Sequence, residues 1–358
     1  MFMKKLKGKY AKEVAKQVEE MTLNVLNEVN PQAKTEEATT ESLHLINGRR
    51  KALFIGINYV GQKGELRGCV NDVVNIKEFL EQRYELEEKM ILTDDPKTEP
   101  ETDFTPTREN IIAAFRWLVK DAKKGDSLLL HYSGHGGRVK NTDGTEKSGY
   151  DQTVVPVDHG TAGQIIDDEV HDVLCKDLPE GVRLTAVFDC CHSESIMDLP
   201  YIYNINGNLE IVESTRNEMV AKLLAGGAAV LLERRHKKFA LLKFGKDIAG
   251  AAREAKASKD GRSDEAIAQH MEENTTAADI IMFSGCKDDQ TSADATIQGE
   301  ATGAMSYALI TTLKKHRGEN LSYTDLLREM RRSLEGRFTQ VPCLSAGRKL
   351  NLNQPFTI

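Results

Sequence analysis

From Lys51 onward the chain repeats one pattern: a short, almost uninterrupted apolar run followed by a longer segment of helical character. The runs are KALFIGIN (51–58), KMILT (89–93), DSLLLHYS (126–133), QTVVPV (152–157), RLTAVFD (183–189) and DIIMFSG (279–285). A strand with one wet face alternates apolar and polar residues, so runs this continuous are those of strands covered on both faces. Helices are predicted between most of them, over Cys69–Gln82, Thr107–Asp121, Asp167–Cys175, Gly303–Lys315 and Ser322–Leu334. Such alternation predicts an α/β fold, a mostly parallel central sheet sandwiched by helices. Sheets of this kind collect ligands and chemistry at the carboxyl ends of their strands.

Two stretches fall outside the rhythm. Leu6, Tyr10, Val14, Val18, Met21 and Val25 recur at three- or four-residue spacing among Lys and Glu, which predicts an amphipathic helix from about Lys4 to Val29. It is either packed on the domain surface or laid over the active site as a pro-segment. The second stretch, Val212 to Thr276, is rich in Ala, Lys, Arg and Glu and ends in KASKDGRSDEA (256–266), an expected exposed and cleavable loop. The predicted organisation is an N-terminal extension (1–48), a large catalytic part (49–211), a linker (212–276) and a smaller part (277–358) that completes the same fold.

With 358 residues, 40% of them hydrophobic, the chain can bury one large core. Its net charge of −7 gives no clustered positive footprint for nucleic acid. No stretch approaches the roughly 20 apolar residues of a membrane span, and MFMKKLKGKY lacks a signal-peptide apolar core. The expectation is a cytoplasmic protein with neither nucleic acid nor membrane as partner. Cys69, Cys175, Cys190, Cys191, Cys286 and Cys343 are too sparse for a disulfide scaffold and form no CxxC pair, so thiols are expected. Neighbours on a strand point to opposite faces, so one of Cys190 and Cys191 is buried while the other is presented.

Two strands end in residues that carry chemistry. LLLHYSGHGG places His135 just after one strand with glycines on both sides, and TAVFDCCHS places Cys191 just after another. A cysteine nucleophile works as a thiolate, and an imidazole within reach favours that form and later protonates the leaving amine. Glycine at both flanks lets backbone approach the substrate, so the amides of Gly136 and Cys191 are candidates for holding an oxyanion. No third residue is evident, which makes His135 and Cys191 a dyad. A cysteine phosphatase is excluded, because it needs an Arg about six residues after its Cys, where this chain has Ile196 and Met197.

The blocks GINY (56–59), LRGCVNDV (66–73), HYSGHGG (131–137), YDQTVVPVD (150–158), IIDDEVH (165–171), VFDCCHSESIMDLP (187–200) and FSGCKDDQTSAD (283–294) resemble, in order, those of type I metacaspases. The resemblance runs from about Lys51 to Ile358, apart from 212–276. It implies a caspase-like three-layer sandwich and a calcium-dependent cysteine endopeptidase that cuts proteins or peptides after Lys or Arg. It makes His135 the general acid/base and Cys191 the nucleophile. Asp72 and Asp189 match the acidic lining of the specificity pocket, where paired carboxylates bind guanidinium or ammonium and reject an acidic side chain. Ser133 completes that pocket with its hydroxyl or its backbone. Asp151, Asp167, Asp168 and Asp198 match the carboxylates of the calcium site, whose hard cation needs six to eight oxygens in all.

Self-processing and a zymogen form are also implied, with Lys259 and Arg262 as the candidate cleavage positions, and so is a monomer. The chain departs from the family at one place, where CHSG reads CHSE and Glu194 stands for glycine. A positive φ there would strain Glu by about 1 kcal/mol, and its charge would raise the pKa of the nearby thiol. A second reading follows from that departure: a catalytically weakened, calcium-responsive interaction or quality-control protein on the same fold.

Overall fold

The apolar runs fold as β1 (Arg50–Gly56), β2 (Glu88–Thr93) and β3 (Ser127–Ser133), and further along as β7 (Arg183–Asp189) and β10 (Asp279–Cys286). Between β3 and β7 lie β4 (Gly136–Lys140), β5 (Tyr150–Val154) and the two-residue β6 (Ile165–Ile166). The remaining strands are β8 (Tyr201–Tyr203), β9 (Leu209–Ile211), β11 (Ala295–Ile297), β12 (Glu300–Thr302) and β13 (Val341–Ala346). The computed structural model describes residues 41–140, 150–190, 196–203, 209–211, 272–286, 295–297, 300–317, 319–335 and 341–358. All of these belong to one of the chain's two units, Thr40–Val212 with Met271–Ile358. The helix predicted over Lys4 to Val29, most of the 212–276 linker with Lys259 and Arg262, and the residues Cys191 and Glu194 lie outside the described residues.

The central sheet has eight strands in the order β2-β1-β3-β7-β10-β13-β8-β9. The first five are parallel, and β13, β8 and β9 extend the sheet antiparallel. Each parallel strand is apolar on both faces, as continuous runs require. Leu53 and Ile55 of β1 join Leu128 and Leu130 of β3 and Leu184 and Phe188 of β7 in one core layer. Ala52 and Phe54 join Leu129, Val187, Ile281 and Phe283 in the other.

The first layer is covered by α2 (Arg108–Val119) and α4 (Asp167–Leu174), the second by α1 (Cys69–Glu81), α5 (Ala304–Lys315) and α6 (Tyr323–Leu334). A single short turn, α3 (His159–Ala162), completes the helices among the described residues. Side chains set two of the boundaries. Thr107 Oγ1 accepts from the Asn110 N–H at the head of α2, and Ser322 Oγ from the Asp325 N–H at the head of α6.

One predicted strand has a different place. QTVVPV belongs to β5, but β5 pairs antiparallel with β4 and β6 in a separate three-stranded sheet. Its run ends at Pro156, which cannot donate to a ladder, and the preceding Tyr150 is exposed. β11 and β12 form a small antiparallel pair of their own.

Candidate active site

β3 and β7 run side by side, with Ser133 directly opposite Asp189 at their carboxyl ends. His135 follows β3 after Gly134, where a Cβ would stand 2.7 Å from Tyr132 Oη, so glycine is needed. Two tyrosines hold the His135 backbone. Its N–H donates to Tyr59 Oη at 2.9 Å, and its carbonyl accepts from Tyr132 Oη at 2.7 Å. Tyr59 in turn donates to the Val155 carbonyl at 2.7 Å, and its ring lies 4.6 Å from the imidazole at a tilt of 36°. Burial raises the pKa of both phenols, which keeps them as proton donors.

The imidazole itself is oriented by a group that the sequence did not advertise. His135 Nε2 lies 2.7 Å from the carbonyl oxygen of Gly64, which only accepts, so Nε2 carries the hydrogen. Nδ1 is thereby left as the basic nitrogen. Gly64 has φ of +90°, in the left-handed region that suits glycine, and a Cβ there would be 3.4 Å from His135 Nε2. The histidine of the expected dyad is thus held by a backbone carbonyl, with Tyr59 and Tyr132 supporting its own backbone. Gly136 opens β4 immediately after His135 and is partly buried. Cys190, buried at the end of β7, is the last described residue before Cys191.

Asp72 and Asp189 are brought close together on the face of the sheet beneath α1 and α5. Asp72 sits in the first turn of α1, yet its carboxylate is tied to distant residues rather than to that helix end. It accepts from Ser133 Oγ at 2.8 Å, from Thr302 Oγ1 at 2.6 Å and from the Gly303 N–H at 3.0 Å. Asp189 accepts from the N–H of Ser306 at 2.7 Å. Ser306 is in the first turn of α5, whose N-terminal dipole favours a carboxylate. Gly303 is wedged between the two acids: its N–H serves Asp72, while a Cβ would sit 2.2 Å from Asp189 Oδ2. Burial, with the Asp189 charge adding to it, holds the Asp72 carboxyl well above the usual carboxylate range. Burial raises Asp189 too, against the Ser306 N–H that donates to it. Thr302, Gly303 and Ser306 carry no signal in sequence, since a hydroxyl or a backbone N–H that reaches across the fold has none.

A second acidic cluster forms where α4 begins. One oxygen each from Asp167, Asp168 and Asp198 lies within 4.8 Å of the others. Asp198, which follows β7, takes a φ of +47°, in the left-handed region that few residues other than glycine adopt. Asp151 falls outside this trio. It is buried one residue before Gln152, whose N–H donates to Asp167 Oδ2 at 2.7 Å.

Residues 50–200 match the family model for the metacaspase, peptidase C14 domain. Metacaspase-1B of Neurospora crassa is 46% identical over 314 residues, which is 87% of this chain and 70% of that protein. The chain belongs to the metacaspase family. Metacaspase-1 of Emericella nidulans is likewise 46% identical, over 308 residues that make up 86% of this metacaspase and 72% of the relative. A crystal structure of a Geobacter sulfurreducens protein superposes with a TM-score of 0.50 at 22% identity, over 86% of this chain and 98% of that one, a likeness of fold alone. As a metacaspase the protein is a cysteine peptidase with a caspase-like fold, and its substrates are proteins or peptides. No helix among the described residues is long and apolar enough to cross a membrane.

Proposed function

We propose that this metacaspase is a calcium-activated endopeptidase that cuts after Lys or Arg. The buried pair of Asp72 and Asp189, two residues before Cys191, is the observation that carries the specificity. Two carboxylates that repel each other in a dry site gain most from a cation, and a guanidinium can bond to both at once. An acidic side chain there would add a third like charge. Ser133 lines the same site through its bond to Asp72.

In the reaction, His135 Nδ1 takes the proton of the Cys191 thiol, and the sulfur attacks the carbonyl carbon of the basic residue. The developing oxyanion is held by the amides of Gly136 and Cys191. The imidazolium then gives its proton to the leaving amine, and a thioester remains. Water, deprotonated by the same nitrogen, attacks that thioester and restores the thiol. Gly64's hold on Nε2 keeps Nδ1 in register through both halves of the cycle.

Asp167, Asp168 and Asp198 fit a hard divalent cation, because they offer clustered oxygen donors whose mutual repulsion a positive charge relieves. Asp151 would complete the set through water or a small movement of β5. When bound, calcium would supply charge and order rather than chemistry. Asp198 lies seven residues beyond Cys191, so fixing its carboxylate steadies the loop that carries the nucleophile. In the same reading the protein is a cytoplasmic monomer, made as a zymogen that cuts itself after Lys259 or Arg262.

A calcium titration of the unaltered protein and of Cys191→Ala, read on gels and with Arg-, Lys- and Asp-terminated fluorogenic peptides, tests these points together. Expected are cleavage of the Arg and Lys peptides only with calcium, chain fragments in the unaltered protein, and neither with Cys191→Ala. Calcium-independent turnover would overturn the metal's role, and equal cleavage after Asp would overturn the specificity.

A further inference from the structure

Two groups that hold His135, the Tyr59 side chain and the Gly64 carbonyl, come from one short loop, and the loop itself is held from outside. It leaves β1 through Asn58 and is closed at its base by the Leu66 N–H, which donates to the Asn58 carbonyl at 2.7 Å. Within it Tyr59 takes a φ of +53°, a left-handed conformation that strains a bulky residue and persists only where the surroundings enforce it. The enforcing group is Asp94, the first residue beyond β2. Its Oδ1 accepts from the Asn58 N–H at 2.8 Å and its Oδ2 from the Val60 N–H at 3.2 Å. One carboxylate thus bonds to the residues on both sides of the strained one. The neighbouring Asp95 serves only its own turn, where its oxygens accept from Lys97 and Thr98. With the loop so held, the buried Tyr59 ring packs against the imidazole, its hydroxyl meets the His135 N–H, and the Gly64 carbonyl meets Nε2.

We propose that Asp94 is a positioning residue for the general base: by clamping Asn58 and Val60 it fixes Tyr59 and Gly64, and through them the tautomer and aim of His135. The proposal rests on His135 being the general acid/base of the reaction above. A carboxylate suits the task, because it offers two acceptor oxygens to two N–H donors, and bonds to a charged acceptor are stronger than those between neutral groups. Without it the two N–H groups turn to water and Tyr59 is released to an ordinary φ. The phenol and the Gly64 carbonyl then lose their register with the imidazole. A group that acts only when the proton moves lowers kcat and leaves KM alone.

The experiment compares the unaltered protein with Asp94→Ala, Asp94→Asn and His135→Ala in the full chain, with calcium and an Arg-terminated fluorogenic peptide. Asp94→Ala is expected to lower kcat about 10-fold, the worth of one charge-assisted hydrogen bond, with KM little changed. Asp94→Asn, which keeps one acceptor oxygen, should lose only about 3-fold. Imidazole 15N spectra should show His135 as a single Nε2–H tautomer in the unaltered chain and as a mixture of tautomers in Asp94→Ala, a change that a residue serving stability alone would not produce. If His135→Ala cleaves like the unaltered protein, the dyad reading is wrong and the clamp has no base to serve. If His135→Ala is inactive while both Asp94 variants keep their kcat, or lose only in KM, the clamp alone is overturned. Should Asp94→Ala fail to fold, Asp94→Asn decides, and an unchanged kcat with an unchanged His135 spectrum overturns the proposal. An Nδ1–H His135 in the unaltered chain overturns it as well, whatever the turnover.

Discussion

Strand β7 begins at Arg183 and ends at Asp189, both almost fully buried, and the company each keeps is different in kind. At the start, opposite charges meet. Arg183 donates to Asp279 at 3.2 Å and to the His44 carbonyl at 2.6 Å, and Arg348 Nε donates to Asp279 at 3.0 Å. Burial pulls the Asp279 pKa up, but the His44 N–H, Arg348 and the His44 ring outweigh it and hold the carboxyl below its ordinary value. At the other end, Asp189 faces Asp72, and both carboxyls are pushed up. The first cluster is closed, with each charge answered by the protein. The second brings two like charges together, which is the feature on which the proposed specificity for a basic side chain rests.

The contrast is broken most forcefully at Asp279. Asp279→Ala strands Arg183 and Arg348 and should cost about 3–5 kcal/mol in urea unfolding. A loss below about 1 kcal/mol would show that the cluster is not the closed structural unit described. Asp189→Asn should act the other way. A drop of about 100-fold in kcat/KM on Arg peptides is expected, about 3 kcal/mol, with an unfolding free energy equal to or above that of the parent.

Acid separates the two ends in time. Asp279, with its depressed folded pKa, contributes stability that is present above the unfolded value of about 3.9 and is lost as pH falls through the folded one. Asp72 and Asp189, with raised pKa values, take up protons above about 3.9, so their protonated forms add stability as pH falls while the charge on which the proposed basic specificity rests disappears. On acidification kcat/KM should therefore decline first, with the unfolding midpoint steady or rising, and unfolding should follow only below about pH 4. Coincident loss of both would remove the distinction. The smallest effect belongs to Glu180, an exposed partner 3.5 Å from His44 Nε2. Glu180→Ala should change unfolding by no more than about 0.5 kcal/mol, which would place the strength of the cluster in its buried members.

The sequence made the parallel half of the sheet legible, because β1, β3, β7 and β10 are covered on both faces and read as unbroken apolar runs. The antiparallel half was not. YIY and VPCLSA are short, and β13 carries Pro342 and Ser345, so no run rises above its surroundings. His135, Asp72 and Asp189 could be found because strand ends concentrate chemistry and because their blocks resemble a known family. Gly64 could not, since what it contributes is a carbonyl present at every residue. The donors Thr302, Gly303 and Ser306 come from far along the chain, and only the packing of α5 over the sheet brings them to the two acids. The Asp167–Asp168 pair was visible as an acidic helix start, whereas its meeting with Asp198, distant in sequence, is made only by the fold.

The sheet order has a consequence for the birth of the enzyme. β10 and β13 stand between β7 and β8, although both are synthesised later than either. β8 therefore has only the neighbouring β9 to pair with until β13 has been made, and Tyr203 waits for Leu350, 147 residues away, before its hydroxyl meets the backbone there. Closing so distant a pairing is slow compared with forming local helices. The donors to Asp72 and Asp189 also arrive late, with Thr302 to Ser306. In a nascent chain of this design the carboxylate pair gains its donors only when synthesis is nearly finished, so the order of translation itself delays the completion of the site.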